Sequence, residues 1–413
     1  MHYARTPATP PDARAVRCVG IVGAGMMGTA IAAANLRCGV AVALADADDR
    51  ALAGAIPRVS GELAGLGHPP EQIGPWVGGL LSVGADVDRL RQCDLVLESI
   101  VESPAAKQAL FSRLEPCLAA EVLLASNTST IPIARLAQRL KQPGRFLGIH
   151  FFHPVGRRPL VEIVRGPRTD SGAVAAAVAY ARAIGKVPIV VADGPGFLVN
   201  RLLGPYLAEA LELLREGVSV RDVEQAAADF GMAMGPLRLV DEIGIDTALL
   251  GGRVLWEAFP DRITPSPLLV GMYKAHKLGR KTRSGFFTYA GEQDAPAPLE
   301  PAPDFVALIA AWSYGPSPRP RVDLMDRLLL PMVLEAARIL EEGRVDGPES
   351  IDLAVNLALG FPAARGGLLR WADSLGLRQV LEKLQKYEPL GPRFRPTEQM
   401  RQLAAEGKGF YPA

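Results

Sequence analysis

Between Val22 and Thr29 the chain reads Gly23-Ala24-Gly25-Met26-Met27-Gly28, and the flanking segments leave few folds open. A short apolar strand, Arg17 to Val22, runs directly into the glycines. An alanine-rich stretch of helical propensity, Thr29 to Cys38, follows; Gly39 ends it, and Val40 to Ala45 reads as a second strand. Such a strand, turn, helix, strand unit aims backbone N–H groups and the positive end of a helix at a pyrophosphate. Gly23 supplies the tight turn, Gly25 the close approach of backbone to phosphate, and Gly28 the close packing of helix on strand. Asp46 closes the second strand, where a carboxylate accepts from a ribose 2′-hydroxyl and repels a 2′-phosphate. NAD is therefore favoured over NADP, with Arg50 weighing slightly the other way.

Further strand signals fall at Leu81–Val83, Leu95–Ile100, Val122–Ser126, Phe146–Phe152, Leu160–Val164 and Val187–Ala192. Helix-like stretches separate most of them, including Pro104–Leu118 and Ser171–Ile184. This alternation predicts an α/β, Rossmann-type, mostly parallel, doubly wound domain over residues 17–192, with ligands beyond the carboxyl ends of the strands. Glu98 and Glu102 follow one strand, Ser126-Asn127-Thr128-Ser129 the next, and His150 lies at the end of a third.

The segment Gly148 to Gly166 holds two of these strands, joined by a turn broken by proline and glycine. Each carries an ionisable group inside an apolar run: His150 before Phe151-Phe152, and Glu162 between Leu160-Val161 and Ile163-Val164. A buried carboxylate is penalised by desolvation unless it is paired, and one facing an imidazole orients it and stabilises its protonated form. A histidine general base held by an acid follows that logic. The residues alone also allow a core histidine beside an unrelated strand-end glutamate, a Ser129 that merely caps a turn, and a Glu102–Lys107 surface pair.

With 413 residues the chain can bury a sizeable core and form two or three domains. A net charge of +1 gives no reason to expect nucleic acid or an anionic membrane as partner. No run has the length of a transmembrane helix, so no membrane insertion is expected. Cys18, Cys38, Cys93 and Cys117 lack metal-type spacing; reduced, buried thiols, no metal and a cytoplasmic location are expected. Residues 1–16 are rich in Ala, Pro and Arg and are expected to be a disordered extension, since Pro7, Pro10 and Pro11 oppose an amphipathic targeting helix.

Past Asp193 the pattern turns helical. Arg201 to Glu216 and Arg327 to Glu342 echo one another, Arg-Leu-Leu-Gly-Pro-Tyr-Leu-Ala-Glu-Ala against Arg-Leu-Leu-Leu-Pro-Met-Val-Leu-Glu-Ala, and each is followed by glycine, Gly217 or Gly343. Asp241-Glu242-Ile243-Gly244 is echoed by Asp373-Ser374-Leu375-Gly376. Two related all-α domains are predicted, over 193–290 and 321–413, burying apolar stripes against each other as an internal pseudo-dimer. The proline-rich stretch 291–320 between them reads as a linker with a short helix near Phe305–Trp312.

The glycine turn, Glu98-Ser99-Ile100-Val101-Glu102, Ser126-Asn127-Thr128-Ser129, His150-Phe151-Phe152 with Glu162, Pro195-Gly196-Phe197-Leu198-Val199-Asn200-Arg201 and Gly279-Arg280-Lys281-Thr282 together resemble the L-3-hydroxyacyl-CoA dehydrogenase family over residues 17–290. The resemblance implies an NAD-dependent oxidation of an L-3-hydroxyacyl-CoA in fatty-acid β-oxidation or a related pathway. It assigns His150 as general base, Glu162 as its orienting acid, Ser129 to the reacting oxygen and Asn200 to the substrate at the mouth between domains. Met27, Glu102, Lys107, Ser129, His153 and Lys281 join Gly23, Gly25, Gly28 and Asp46 around NAD. The remainder resembles the C-terminal end of the bacterial multifunctional fatty-acid oxidation enzymes, whose enoyl-CoA hydratase half is not expected here; a separate hydratase or thiolase is a conceivable partner.

Two departures from the family pattern stand out. His153 replaces the usual Asn or Ser, adding a titratable group near the nicotinamide. No lysine occurs between Ala47 and Ala106, where simpler members hold CoA, leaving Arg50 and Arg58 as substitutes. A dehydrogenase of a non-CoA 3-hydroxy acid and a non-catalytic NAD-binding subunit of a fatty-acid oxidation complex remain as alternatives, the second opposed by the intact Ser129, His150, Glu162 and Asn200. In shorter family members one helical domain makes the homodimer; here the second repeat is expected to cover that face.

Overall fold

The computed structural model describes residues 15–289, 301–315 and 321–412. Most of the N-terminal stretch expected to be disordered, and both ends of the proline-rich linker, lie outside the described residues. The chain divides into two compact units, the division falling between Phe197 and Leu198.

The first unit is built on one eight-stranded sheet of order β3-β2-β1-β4-β5-β6-β7-β8. Its strands are β1 (Cys18–Val22), β2 (Ala41–Ala45), β3 (Leu81–Gly84), β4 (Leu95–Glu98), β5 (Leu123–Ser126), β6 (Phe146–Phe151), β7 (Leu160–Arg165) and β8 (Val187–Ala192). Every neighbouring pair from β3 to β6 is parallel, β6 and β7 are antiparallel, and β7 and β8 are parallel again. The reversal has a local cause: the turn between β6 and β7 is too short for the crossover that parallel strands require. Helices Met26–Leu36 and Ser171–Ala183 share a core with Val19, Ile21, Leu97, Leu147 and Ile149 of the strands. These strands read as nearly continuous apolar runs because helices cover a parallel sheet on both faces.

Strand order switches between β1 and β4, so the chain diverges there and leaves a crevice at the carboxyl ends. Two glycines make that crevice possible. Gly23 has φ 114°, and a Cβ on it would lie 2.4 Å from the Ser99 carbonyl oxygen after β4. A Cβ on Gly28 would lie 1.8 Å from the Gly23 carbonyl oxygen, so the helix meets its own turn only because no side chain intervenes.

The second unit is helical, and both repeats fold within it. Helix Val199–Arg215 packs against helix Arg321–Glu341, burying Leu202, Tyr206, Leu213, Leu328, Leu329 and Ala336. The echo extends beyond what the sequence comparison paired. Glu224 accepts from the Leu237 and Arg238 N–H groups, as Asp352 does from Leu369 and Arg370. Asp241 accepts from Phe286 and Phe287, as Asp373 does from Phe410 and Tyr411. Each carboxylate ties a helix start or a terminal segment to its own repeat. One difference is local: the second repeat has an extra residue between Asp352 and Gly360 relative to Glu224 and Gly231, absorbed as a π-turn over Val355–Leu359.

Candidate active site

The glycine turn delivers the start of helix Met26–Leu36 to the crevice. A Cβ on Gly25 would meet no protein atom within 4 Å, so the backbone is open to a ligand where a phosphate would approach. Asp46, half-buried after β2, accepts from the Ala24 N–H at 2.7 Å through Oδ2 and from the Asp48 N–H at 2.9 Å through Oδ1. It thereby fastens the end of β2 to the turn after β1. Met27 packs on the core, whereas its neighbour Met26 is exposed. An open pocket of about 680 Å³ adjoins the turn, bordered by Gly25, Met26, Arg50, Arg58, Leu66 and Arg157. Arg58 donates to the Ala24 and Ala51 carbonyls, which fixes its guanidinium beside the turn.

At the ends of β4 and β5 lies a buried polar network. Glu98 is fully buried and accepts from Lys107 Nζ at 2.5 Å, from the Ile100 N–H at 2.7 Å and from Ser126 Oγ at 2.6 Å. Glu102 Oε1 accepts from Thr128 Oγ1 at 2.6 Å and from the Ser129 and Thr130 N–H groups at 3.1 and 3.2 Å. Burial works to raise the Glu102 carboxyl, but the Lys107 charge and the bonds from Thr128 and Ser129 outweigh it and hold it below its ordinary range. Lys107, 1% exposed, sits between the two carboxylates, 3.2 Å from Glu102 Oε2. It is no surface pair: its ammonium contacts Glu98 and Glu102 in the interior. Together these residues shape the Ser126–Ser129 turn.

His150 and Glu162 are register partners on β6 and β7, with Nδ1 and Oε2 2.6 Å apart. Directly opposed residues on antiparallel strands project to the same face, which makes this contact a consequence of the hairpin. Both are buried, the ring lying against Phe152 and Phe197 at centroid distances of 4.4 and 5.9 Å. Asn127 Oδ1 accepts from the Phe151 N–H and so joins the turn after β5 to the end of β6. Ser129 is half-buried in that turn, and His153 is exposed just beyond β6. The first unit thus gathers Gly23, Gly25, Gly28, Asp46, Glu102, Ser129 and His150 at the carboxyl ends of its strands.

Asn200 and Lys281 belong to the second unit. Asn200 is half-buried in the first turn of helix Val199–Arg215, and Lys281 Nζ lies 2.6 Å from Asp246 Oδ2. Next to Asn200 is a feature the sequence reading missed. Arg201 binds Glu335 through Nε at 2.6 Å and Glu342 through both terminal nitrogens at 2.7 Å. Arg327 reciprocates, binding Glu209 through Nε at 2.8 Å and Glu216 through NH1 and NH2 at 3.1 and 2.9 Å. The two helices must therefore run antiparallel. The same interval separates Arg201 from Arg327, Glu209 from Glu335 and Glu216 from Glu342, so the signal was present in the echo as six charged positions.

Among the described residues, no group of three His, Cys, Asp or Glu side chains could hold a metal ion, and no helix is long and apolar enough to cross a membrane.

The sequence matches the family description "3-hydroxyacyl-CoA dehydrogenase, NAD binding domain" over residues 18–194 and "3-hydroxyacyl-CoA dehydrogenase, C-terminal domain" over 196–289 and again over 324–410. It is 35% identical to a fatty acid oxidation complex subunit alpha of Pseudomonas syringae over 97% of this chain and 56% of that protein. The chain thus spans little more than half the length of that curated relative. The structure is similar to a 3-hydroxybutyryl-CoA dehydrogenase of Escherichia coli, with TM-score 0.80 and 26% identity over 95% of this chain and 99% of the other. It is also similar to an (S)-3-hydroxybutyryl-CoA dehydrogenase of Ralstonia eutropha, with TM-score 0.64 and 34% identity over 67% and 100%. The doubled C-terminal match is the internal repeat seen in the helices, and with NAD as the cofactor of its first unit the chain belongs to the 3-hydroxyacyl-CoA dehydrogenase family.

Proposed function

We propose that this protein oxidises the C3 hydroxyl of an L-3-hydroxyacyl-CoA, and reduces the corresponding 3-ketoacyl-CoA, with His150 as general base and acid. The observation that carries the reading is the buried 2.6 Å contact of His150 Nδ1 with Glu162, in a unit whose glycine turn fits a dinucleotide. With Nδ1 occupied, Nε2 is the nitrogen left to take the hydroxyl proton. Glu162 fixes the ring's orientation and balances the charge of the imidazolium that forms. Bound NAD supplies the acceptor for the hydride that leaves C3. Ser129 donates a hydrogen bond to the reacting oxygen, and Glu102, with Lys107 behind it, keeps the backbone of that turn in place. Asp46 accepts from the adenosine ribose. Asn200 and Lys281 are assigned to substrate and cofactor by the resemblance.

The CoA phosphates are taken by Arg157, with Arg50 and Arg58 lining the same pocket, in place of the lysines absent from that region. The reaction belongs to fatty-acid β-oxidation or a related cytoplasmic pathway, with a 2-enoyl-CoA hydratase or a thiolase as neighbouring activity.

NADH consumption measured side by side with acetoacetyl-CoA, a longer 3-ketoacyl-CoA and a free 3-keto acid tests the proposal. Turnover of the thioesters with little of the free acid supports it. Equal turnover of the free acid would move the substrate outside the CoA thioesters, and no turnover of any of them would remove the enzymatic reading.

A further inference from the structure

Far from the crevice, at the amino ends of the same two central strands, Cys18 opens β1 and Cys93 lies two residues before β4. Their Sγ atoms are 3.3 Å apart. The other two cysteines have no such neighbour in reach: Cys38 is exposed, and Cys117 faces the Arg113 carbonyl. Contrary to the expectation of buried thiols throughout, Cys93 alone of the four is fully buried, while Cys18 is only partly covered. The local backbone is pinned, since the Arg17 and Cys18 N–H groups both donate to Asp94 Oδ2 at 2.8 and 3.1 Å. A disulfide would bring the two sulfurs from this 3.3 Å contact to about 2.05 Å.

We infer that Cys18 and Cys93 are a reversible, peroxide-oxidised dithiol pair, with Cys18 the attacking and Cys93 the resolving sulfur. The roles follow from placement. A charge is better tolerated on the partly exposed sulfur, Cys18, than on the buried Cys93, whose thiol also lies 3.9 Å from the Arg89 carbonyl. The hydrogen bond with Cys93 lowers the Cys18 thiol against the opposing effects of burial and Asp94. The same bond, reinforced by burial, pushes the Cys93 thiol up. A thiolate with some access to water, next to a second thiol, is the arrangement in which oxidation stops at a disulfide.

The chemistry balances with a hydroperoxide as oxidant. The Cys18 thiolate attacks one peroxide oxygen, the O–O bond breaks, and Cys18 becomes a sulfenic acid while hydroxide leaves. Cys93 then attacks the Cys18 sulfur, its proton goes to the departing oxygen, and the S–S bond forms as water leaves. Each sulfur is oxidised by one electron equivalent and the two peroxide oxygens are reduced. A dithiol reductant reverses the result. The clip would tie the amino end of β1 to that of β4, across the point where strand order switches, without touching a residue of the crevice.

The test uses the full chain, reduced and then exposed to hydrogen peroxide, alkylated, digested and weighed. A peptide pair joined through Cys18 and Cys93, lighter by about two mass units than its reduced parts and lost on adding dithiothreitol, is the expected result. In Cys93→Ser the oxidised sulfur stays as a sulfenic acid at Cys18 that dimedone traps; in Cys18→Ser, Cys93 remains an unmodified thiol. Wild-type protein in which both cysteines stay alkylatable while Cys38 oxidises would overturn the pair. Dimedone adduct on Cys93 in Cys18→Ser, equal to that on Cys18 in Cys93→Ser, would overturn the assignment of roles.

Discussion

His150 and Glu162 face each other across β6 and β7 with Nδ1 and Oε2 2.6 Å apart, both buried at the end of the hairpin. If the pair is the catalytic acid–base device, His150→Gln is expected to lower kcat by about two to four orders of magnitude while NAD affinity stays near wild type. Glu162→Gln is expected to lower kcat as well, since a neutral amide no longer balances an imidazolium. Steady-state kinetics with acetoacetyl-CoA, together with NADH titration by fluorescence, separates the two effects. Near-wild-type turnover in His150→Gln removes His150 from the mechanism.

Asp46 fastens the turn through the Ala24 N–H, and the proposed function gives it the ribose as well. Asp46→Ala is expected to weaken NAD binding and to narrow its advantage over NADP, because the ribose acceptor and the repulsion of a 2′-phosphate vanish together. Both cofactors titrated against wild type and variant decide the point; wild-type protein that prefers NADP contradicts it.

Arg157 is an exposed basic residue lining the pocket beside the glycine turn. Arg157→Ala is expected to raise KM for acetoacetyl-CoA about tenfold with kcat little changed, the loss of one charge-assisted hydrogen bond. An unchanged KM places the CoA phosphates elsewhere.

Arg201 and Arg327 are each almost fully buried against two glutamates of the opposite repeat. Removing one partner of such a cluster strands the other charges in the interior. Arg201→Met and Arg327→Met are each expected to destabilise the helical unit by about 3–5 kcal/mol. Urea unfolding followed by circular dichroism measures both. A large effect from only one of them would show that the repeats are not energetically equivalent.

Glu342 supplies a pH test of the same cluster. The Arg201 hydrogen bond, working against burial, holds its carboxyl down to about 2 from an ordinary 4.5. A carboxyl depressed on folding stabilises fully above its unfolded value and loses that contribution as pH falls through the folded one. Wild-type thermal stability is therefore expected to fall faster than that of Glu342→Gln between pH 4.5 and 2. Asp241, pushed up to about 6 chiefly by burial, works in the opposite sense: its contribution is present below 3.8 and is lost as pH rises through 6. The difference between wild type and Glu342→Gln, measured by scanning calorimetry, isolates the first effect. Parallel curves would show that Glu342 gains nothing from Arg201 on folding.

What the sequence determined by itself was whatever is written in local spacing. The Gly23–Gly28 turn is legible because a strand, a tight turn and a helix start are neighbours in the chain, and each constrains its own residue type. The His150–Glu162 contact is legible because a short turn forces two adjacent strands into antiparallel register. The repeat is legible because duplicated helices retain their order of residues. Tertiary structure decided the rest. The residues alone left a Lys107–Glu102 surface pair open, but the fold buries Lys107 between Glu98 and Glu102. Arg201 and Arg327 showed only as matched positions of two echoing segments; the antiparallel packing of two helices far apart in the chain gives each its glutamates. Cys18 and Cys93, 75 residues apart in the chain, looked unrelated until β1 and β4 became neighbours. Periodicity reports which face of an element is apolar, and it carries no record of which distant face closes over a charge or a thiol. That partner is chosen only when the faces meet.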